Sequence, residues 1–331
     1  MKLDLCYQLM NEWTAQKTPF LFVIDFEKKQ PLLYKLSELD STDSPIFYHF
    51  PKLNNNQYFN TENKHNSPCV QSKHNDEEKA GYLKRFEQAQ SLLKSENVEV
   101  INLTKATPLN VEGSLSAIYC KANAKYKVLL KDKFVCCSPE IFIRVDENGV
   151  LSTNPMKGTI DANIPNADTI IIENIKEELE HRATVNLLTE ELKEVATNVS
   201  VKRYRYLDRL TTSDKDLYQV SSEIVGELNP EYQKNLGTLI NQLLPAGSIL
   251  GNPKEKALQI IQSVEGYERG YYTGVCGVFD GQTLDCCVLI RFIEQLQNGE
   301  FIYKSGGGIT PRSNGEDEFQ EILNKIYVPL D

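Results

Sequence analysis

Three glycines stand just ahead of two carboxylates in the segment Ser305-Gly-Gly-Gly-Ile-Thr-Pro-Arg-Ser313, which runs into Glu316-Asp-Glu318-Phe-Gln-Glu321-Ile-Leu-Asn-Lys-Ile326. Glycines let main-chain N–H groups approach a ligand closely, and a helix that begins just after them is expected to favour an anion at its start. Glu318 and Glu321, three residues apart, are expected to share a helix face that points away from Ile322 and Ile326. Two like carboxylates on one face suit a hard cation such as Mg2+, which prefers oxygen ligands. Spacing alone also fits a solvated acidic turn.

Three further positions could carry chemistry. Lys157, between Pro155 and Gly158, reads as a lysine fixed by a turn at the end of a strand. A desolvated lysine is a nucleophile or base, although the local sequence alone favours an exposed turn residue. Arg291 ends the apolar run Val-Leu-Ile-Arg, where it fits either a carboxylate clamp or a salt-bridge partner. The acidic helix segment Glu177-Glu-Leu-Glu180-His-Arg offers another carboxylate, with His181 read as a helical surface histidine rather than a base.

The elements that must position these residues can be read from periodicity. Strands are expected at Phe20–Ile24, Ile46–Phe50, Val98–Leu103, Tyr126–Leu130, Phe134–Cys137, Ile141–Val145, Gly274–Phe279, Cys286–Phe292 and Phe301–Tyr303. Helical spacing covers about Gly81–Ser95, Ile175–Thr197, Leu236–Leu243 and Lys254–Val264. Residues 51–78, rich in Asn and other polar types, read as an exposed or mobile loop. Strands and helices arrive in blocks rather than in alternation, which predicts an α+β fold with largely antiparallel sheets. No clean linker interrupts the chain, so residues 1–79 are expected to form a short N-terminal region of the same fold as residues 80–331.

Composition narrows the classes of function. The chain of 331 residues is 40% hydrophobic and 25% charged, as globular proteins are. A formal charge of -10 argues against nucleic acid as a partner, because that binding needs clustered Lys and Arg. No run approaches the roughly 20 apolar residues of a membrane helix, and the opening Met-Lys-Leu-Asp-Leu-Cys has no apolar signal core, so a cytoplasmic protein is expected. The eight cysteines form no Cys-x-x-Cys pair and are expected to be buried, reduced thiols.

Taken in order, the motifs resemble those of the chorismate-binding family, which includes anthranilate synthase, isochorismate synthase, salicylate synthase and aminodeoxychorismate synthase component I. Ser138-Pro-Glu-Ile-Phe142 and Pro155-Met-Lys-Gly-Thr159 are similar to the family's Ser-Pro-Glu-x-Phe and Pro-Ile-Lys-Gly-Thr. Leu179-Glu-His181, Leu244-Pro-Ala-Gly-Ser-Ile-Leu-Gly-Asn-Pro-Lys254, Arg269-Gly-Tyr-Tyr-Thr-Gly274, Leu289-Ile-Arg291 and the Gly306-Gly-Gly308 loop with its Glu pair follow in the family's order. The resemblance spans roughly residues 80–328 and implies a four-layer α/β/β/α sandwich. It also implies Mg2+ held by Glu180 and Glu321 with Glu318 beside them, and Arg291, Tyr303 and the Gly307–Gly308 backbone around the enolpyruvyl carboxylate of chorismate. Ser248, Thr159 and Gln219 fall at further substrate-site positions.

Lysine within Pro-Met-Lys-Gly-Thr resembles the aminodeoxychorismate synthases, where anthranilate synthases carry alanine. Val100, in Glu99-Val-Ile-Asn-Leu103, falls where isochorismate and salicylate synthases carry a water-activating lysine, and a valine cannot deprotonate water. The resemblance therefore implies synthesis of 4-amino-4-deoxychorismate, on the route to para-aminobenzoate and folate. Lys157 would be the nucleophile and Glu140 the general acid and base. No Cys/His pair lies in a recognisable nucleophile elbow, so ammonia is expected from a separate glutamine amidotransferase subunit. Two departures stand out. Gln219 replaces a histidine of the family's His-x-Val-Ser, and Asn186-Leu-Leu-Thr-Glu-Glu191 replaces Asp-Leu-x-Arg-Asn-Asp. The rival expectations are anthranilate or isochorismate synthesis, and a non-catalytic chorismate-binding subunit.

Overall fold

The computed structural model of the chain describes residues 1–59, 68–72, 76–211 and 216–329. Among these, one sheet of nine strands runs β10 (Met156–Asp161), β12 (Asp216–Leu228), β9 (Val150–Thr153), β8 (Ile141–Val145), β15 (Leu284–Val288), β14 (Val275–Phe279), β1 (Phe20–Ile24) and β2 (Leu32–Lys35), with β11 (Ala196–Thr211) also paired to β12. A second sheet of eight strands runs β13 (Gly251–Asn252), β5 (Val100–Glu112), β17 (Phe301–Ile309), β16 (Phe292–Gln295), β7 (Phe134–Ser138), β6 (Tyr126–Leu130) and β3 (Ile46–His49), with β4 (Cys69–Ser72) paired to β5. Every pairing is antiparallel.

The sheets stack and helices cover both outer faces. Helices α1 (Leu3–Ala15), α4 (Ala167–Glu173), α5 (Ile175–Lys193) and α6 (Leu236–Leu243) lie over the first sheet. Helices α2 (Asp76–Ser95), α3 (Leu115–Lys121), α7 (Lys254–Val264) and α8 (Gly315–Asn324) lie over the second. Strand β1 shows why its run is wholly apolar. Phe20, Phe22 and Ile24 pack with the helices, while Leu21 and Val23 pack between the sheets. A strand buried on both faces does not alternate. Among the described residues no helix is long and apolar enough to cross a membrane, and all eight cysteines are free, six of them buried.

Several expected boundaries change, each for a physical reason. The expected strand Cys286–Phe292 is two strands: β15 ends in the first sheet at Val288 and β16 opens the second at Phe292. Between them Arg291 has φ 55°, a left-handed corner rather than a strand end. The glycine triplet is no loop. Gly306, Gly307 and Gly308 lie in β17 opposite Thr104, Leu103 and Asn102 of β5. A Cβ on Gly306 would stand 2.7 Å from Thr104 Cγ2, so only glycine fits there.

The helix expected to reach Thr197 ends at Lys193, because Ala196 already pairs with Leu228 in the long β11–β12 hairpin. Within the stretch read as a polar loop, β4 pairs with β5 and α2 begins at Asp76; residues 60–67 and 73–75 of that stretch lie outside the described residues.

Arg269 ties these layers together. It is 1% exposed and donates to both oxygens of Glu265 (2.8 and 2.6 Å), to the carbonyls of Ile249 (3.1 Å) and Asn102 (2.6 Å), and to Thr273 Oγ1 (3.3 Å). Glu265 in turn accepts from Thr104 N and Oγ1, both at 2.8 Å. The pair thus joins the end of α7 to β5, the turn before β13 and the approach to β14. Arg269→Leu leaves Glu265 buried with its cation gone, and is expected to cost about 3–5 kcal/mol, read as a lower midpoint in denaturant melts.

Candidate active site

Lys157 sits in β10 itself, not on a turn at its end. Opposite it on β12 the register passes from Met156↔Ser221 to Thr159↔Gln219, which gives β10 one residue more than its partner. The bulge is formed at Lys157 and Gly158, and Gly158 takes φ 89°. Bulges re-aim side chains. Here the lysine reaches toward the second sheet, where a Cβ built on Gly308 would stand 3.5 Å from Lys157 Nζ and 3.7 Å from Val100 Cγ2.

Gln219 braces this bulge. Its Nε2 donates to the Gly158 carbonyl (3.3 Å), and its Oε1 accepts from Thr159 Oγ1 (3.2 Å). Both ends of the amide are therefore committed to β10, and Gln219 is 9% exposed.

Glu140 and Arg291 arrive together because two corners run side by side. Ser138 to Ile141 carries the chain from β7 in the second sheet to β8 in the first, and Leu289 to Arg291 carries it back from β15 to β16. Cys137 N donates to the Arg291 carbonyl (3.0 Å), and Val288 N donates to the Glu140 carbonyl (3.2 Å).

Burial pushes the Glu140 carboxyl above the usual carboxylate range, while a 2.6 Å hydrogen bond from Ser248 and the charges of Lys157, Arg291 and Lys325 pull it back only in part. A carboxyl whose proton is held more tightly than usual is suited to giving and taking a proton. The Arg291 guanidinium lies 4.9 Å from the Tyr327 ring centre, and its Nε is buried with no protein partner, a donor left for a ligand carboxylate.

Tyr303 and Gly307 both have polar groups engaged within the protein. Tyr303 is 1% exposed and its hydroxyl donates to the Tyr327 carbonyl (2.9 Å), so it seats Tyr327 beneath Arg291. Asn102 N and Thr104 N both point away from β17, to Leu250 O (2.9 Å) and Glu265 Oε1 (2.8 Å). Leu103, between them, therefore faces Gly307, whose main-chain groups are taken up by β5. Gly306 and Gly308 face the other edge, where Lys325 Nζ donates to the Gly306 carbonyl (3.0 Å).

The carboxylates gather on the opposite wall. Glu318 is 4% exposed on the same side of α8 as Phe319 and Ile322, one turn apart, rather than away from the apolar face. Burial and then Glu321 push its carboxyl up, and its Oε2 is buried without a hydrogen bond. Glu177, from α5, is likewise raised by burial and by Glu180 and Glu321. Burial alone would raise Glu321, but Lys325 at 2.7 Å holds it below the usual range.

An all-oxygen set with an orphaned buried carboxylate oxygen and mutual repulsion fits a hard cation. Among the described residues no three such groups stand close enough to coordinate an ion as they are placed, and Lys176, 3.8 Å from Glu180 Oε1, shares their field.

Lys325 was not among the sequence candidates, Glu177 entered only within an acidic helix segment, and His181 was read as a surface residue. Lys325 follows Glu321 by one helical turn, which was the available signal. Burial pushes its amine down, helped by Lys157 and Arg291. His181 is fully buried, not on the surface; Nε2 lies 2.7 Å from Ser222 Oγ. Helical spacing alone could not show this, because the β11–β12 hairpin that covers His181 was not foreseen.

A model of chorismate binding enzymes matches residues 14–331. An uncharacterized PabA-like protein of Haemophilus influenzae is 42% identical over 321 residues, 97% of this chain and 95% of that protein. Aminodeoxychorismate synthase component 1 of Salmonella typhimurium is 29% identical over 259 residues, 74% of this chain and 56% of that protein. Among solved structures, MenF, the menaquinone-specific isochorismate synthase of Escherichia coli, superposes with a TM-score of 0.73 at 18% identity, covering 98% of this chain and 81% of that one.

The raised Glu140 carboxyl has a consequence for stability. In the unfolded chain it ionises near its ordinary value, whereas the folded protein holds the proton more tightly. The folded state therefore loses stability as pH rises from the unfolded value through the folded one, and the loss is complete above it. Glu140→Gln is expected to melt higher than the parent at pH 8 and to match it near pH 4. Thermal melts across that range check this.

Proposed function

The chain belongs to the chorismate-binding enzyme family, and on that premise we propose that it converts chorismate and ammonia to 4-amino-4-deoxychorismate, as an aminodeoxychorismate synthase component I. The observation that carries this reading is the pair of side chains flanking Gly308. One is the amine of Lys157 and the other is a methyl of Val100. Beside Gly308 the cleft thus offers a nitrogen nucleophile at one side and an apolar methyl at the other.

The chemistry follows from the residues around that point. The nitrogen of Lys157 adds to C2 of the ring while both ring double bonds shift, to C1=C6 and C4=C5, and the C4–oxygen bond breaks. Glu140 gives its proton to the departing hydroxyl, which leaves as water. Ammonia then attacks C4, the Lys157–C2 bond breaks, and Glu140 takes a proton from the new ammonium group. Ser248, hydrogen-bonded to Glu140 at 2.6 Å, keeps that carboxyl facing the ring.

Arg291, with its unpartnered Nε over Tyr327, binds the enolpyruvyl carboxylate beside the open edge of Gly306 and Gly308. Mg2+ held by Glu180, Glu318 and Glu321 would orient the ring carboxylate and neutralise charge that builds on it. Ammonia is supplied by a separate glutamine amidotransferase subunit.

Purified protein given chorismate, Mg2+ and ammonium is expected to form 4-amino-4-deoxychorismate, identified by chromatography and mass; anthranilate or isochorismate as the product would overturn the assignment. Lys157→Ala is expected to lower kcat by at least about 1,000-fold with an unchanged melting temperature. Unchanged turnover in that variant would remove the nucleophile from the mechanism. Chelation with EDTA is expected to stop product formation, and added Mg2+ to restore it.

A further inference from the structure

Helix α5 buries a carboxylate, Glu191, in its last turn, on the same side as Val185, Leu188 and Leu192. It lies against the turn Gly247–Ile249, on which Ser248 stands. The structure assigns to Glu191 a positioning role: its carboxylate seats that turn, so that the Ser248 hydroxyl meets Glu140. This rests on the reading of Glu140 as the acid and base.

A Cβ built on Gly247 would stand 2.0 Å from Glu191 Oε1 and 2.8 Å from its Cδ, so the carboxylate fills the place that a side chain at 247 would take. Gly247 is not among the glycines of positive φ. Contact, not backbone conformation, therefore demands glycine there. The same Oε1 is 3.1 Å from Lys254 Nζ at the start of α7, and that ammonium donates to the carbonyl of Leu243, the last residue of α6 (3.0 Å). Three helices converge on one carboxylate.

The turn is thus gripped at both ends, by Glu191 at Gly247 and by Arg269, which donates to the Ile249 carbonyl (3.1 Å). Between them Ser248 Oγ donates to Glu140 Oε1 at 2.6 Å. A void of 10 Å³ lies beside the contact, lined by Glu191, Ala246 and Ser248 and by Ile141, Phe142 and Ile143 of β8, the strand that follows Glu140. It holds one water at most. A side chain cut back at 191 enlarges that void, and the turn gains room to carry Ser248 away from the acid.

The test is a double-mutant cycle of Glu191→Ala and Ser248→Ala, read as kcat and KM for chorismate with Mg2+ and ammonium. Each single variant is expected to lose about 10-fold in kcat, with KM within about twofold, less than the about 100-fold of a reacting group displaced by a full 1 Å. Because Glu191 acts through Ser248, the double variant is expected to lose about 10-fold as well, not the about 100-fold of independent sites. Glu191→Gln keeps the shape of the seat and is expected to recover most of the loss. A second readout needs no turnover: the pH midpoint of the infrared band of the protonated Glu140 carboxyl, identified by its loss in Glu140→Gln. The Ser248 hydrogen bond lowers that midpoint, as do the charges of Lys157, Arg291 and Lys325, which these variants leave in place. It is expected to rise equally in Glu191→Ala and Ser248→Ala.

Multiplied losses in the double variant, parent-like kcat in Glu191→Ala, or an unmoved Glu140 midpoint would overturn the proposal. If Glu191→Ala does not fold, Gly247→Ala takes its place, since the added methyl displaces the same carboxylate. The same loss and the same rise in midpoint are expected of it, and the absence of either would equally overturn the proposal. A parent enzyme that makes no aminodeoxychorismate would count against the proposed reaction and not against the seat, since the infrared midpoint is read without turnover.

Discussion

Two main-chain hydrogen bonds, Cys137 N to Arg291 O at 3.0 Å and Val288 N to Glu140 O at 3.2 Å, join the corners at which the chain changes sheets. A strand that leaves one sheet for another must give up its ladder, and the freed groups here satisfy each other. The consequence is chemical. An acid and an arginine are set on neighbouring corners at the place where the sheets part. The Arg269–Glu265 pair secures the surrounding frame by tying α7 to β5 and to the turn that carries Ser248. Positions in the cleft are thus set by strand pairing and buried ions.

Charge is sorted across the cleft more sharply than the net value suggests. The chain carries a formal charge of -10, yet Lys157, Arg291 and Lys325 all act on Glu140. On the other wall burial, and then Glu180 and Glu321, push up the carboxyls of both Glu177 and Glu318. On the proposed reaction, a substrate with two carboxylates would meet cations at one end and, at the other, carboxylates whose repulsion a metal ion would relieve. Lys325 stands between the two groups, bonded to Glu321 and to the Gly306 carbonyl.

Motif order carried the fold and the membership of the cleft, because Ser-Pro-Glu, the lysine segment, Leu-Ile-Arg and the glycine run each mark a sheet edge or corner. What side chains are committed to was much less legible. Tyr303 and Gln219 lie beside the cleft, but their polar atoms are spent on Tyr327, Thr159 and Gly158. Strand periodicity failed at the glycines, which have no side chains to alternate, although they belong to β17. The charged and aromatic run from Val199 to Tyr206 hid the β11–β12 hairpin, and with it the burial of His181.

Gln219 shows how a substitution can move the work of a site rather than abolish it. An amide carries a donor and an acceptor and has no charged form in the working range of pH. It can therefore bridge the Gly158 carbonyl and the Thr159 hydroxyl without adding charge beside Lys157. It cannot carry a proton, so on the proposed reaction proton transfer would fall to a carboxyl raised by burial. Glu140 has that environment, with Ser248 fixing one oxygen and leaving the other free. On that reading shape and proton transfer are separated: the amide holds the bulge, and the acid would move the proton.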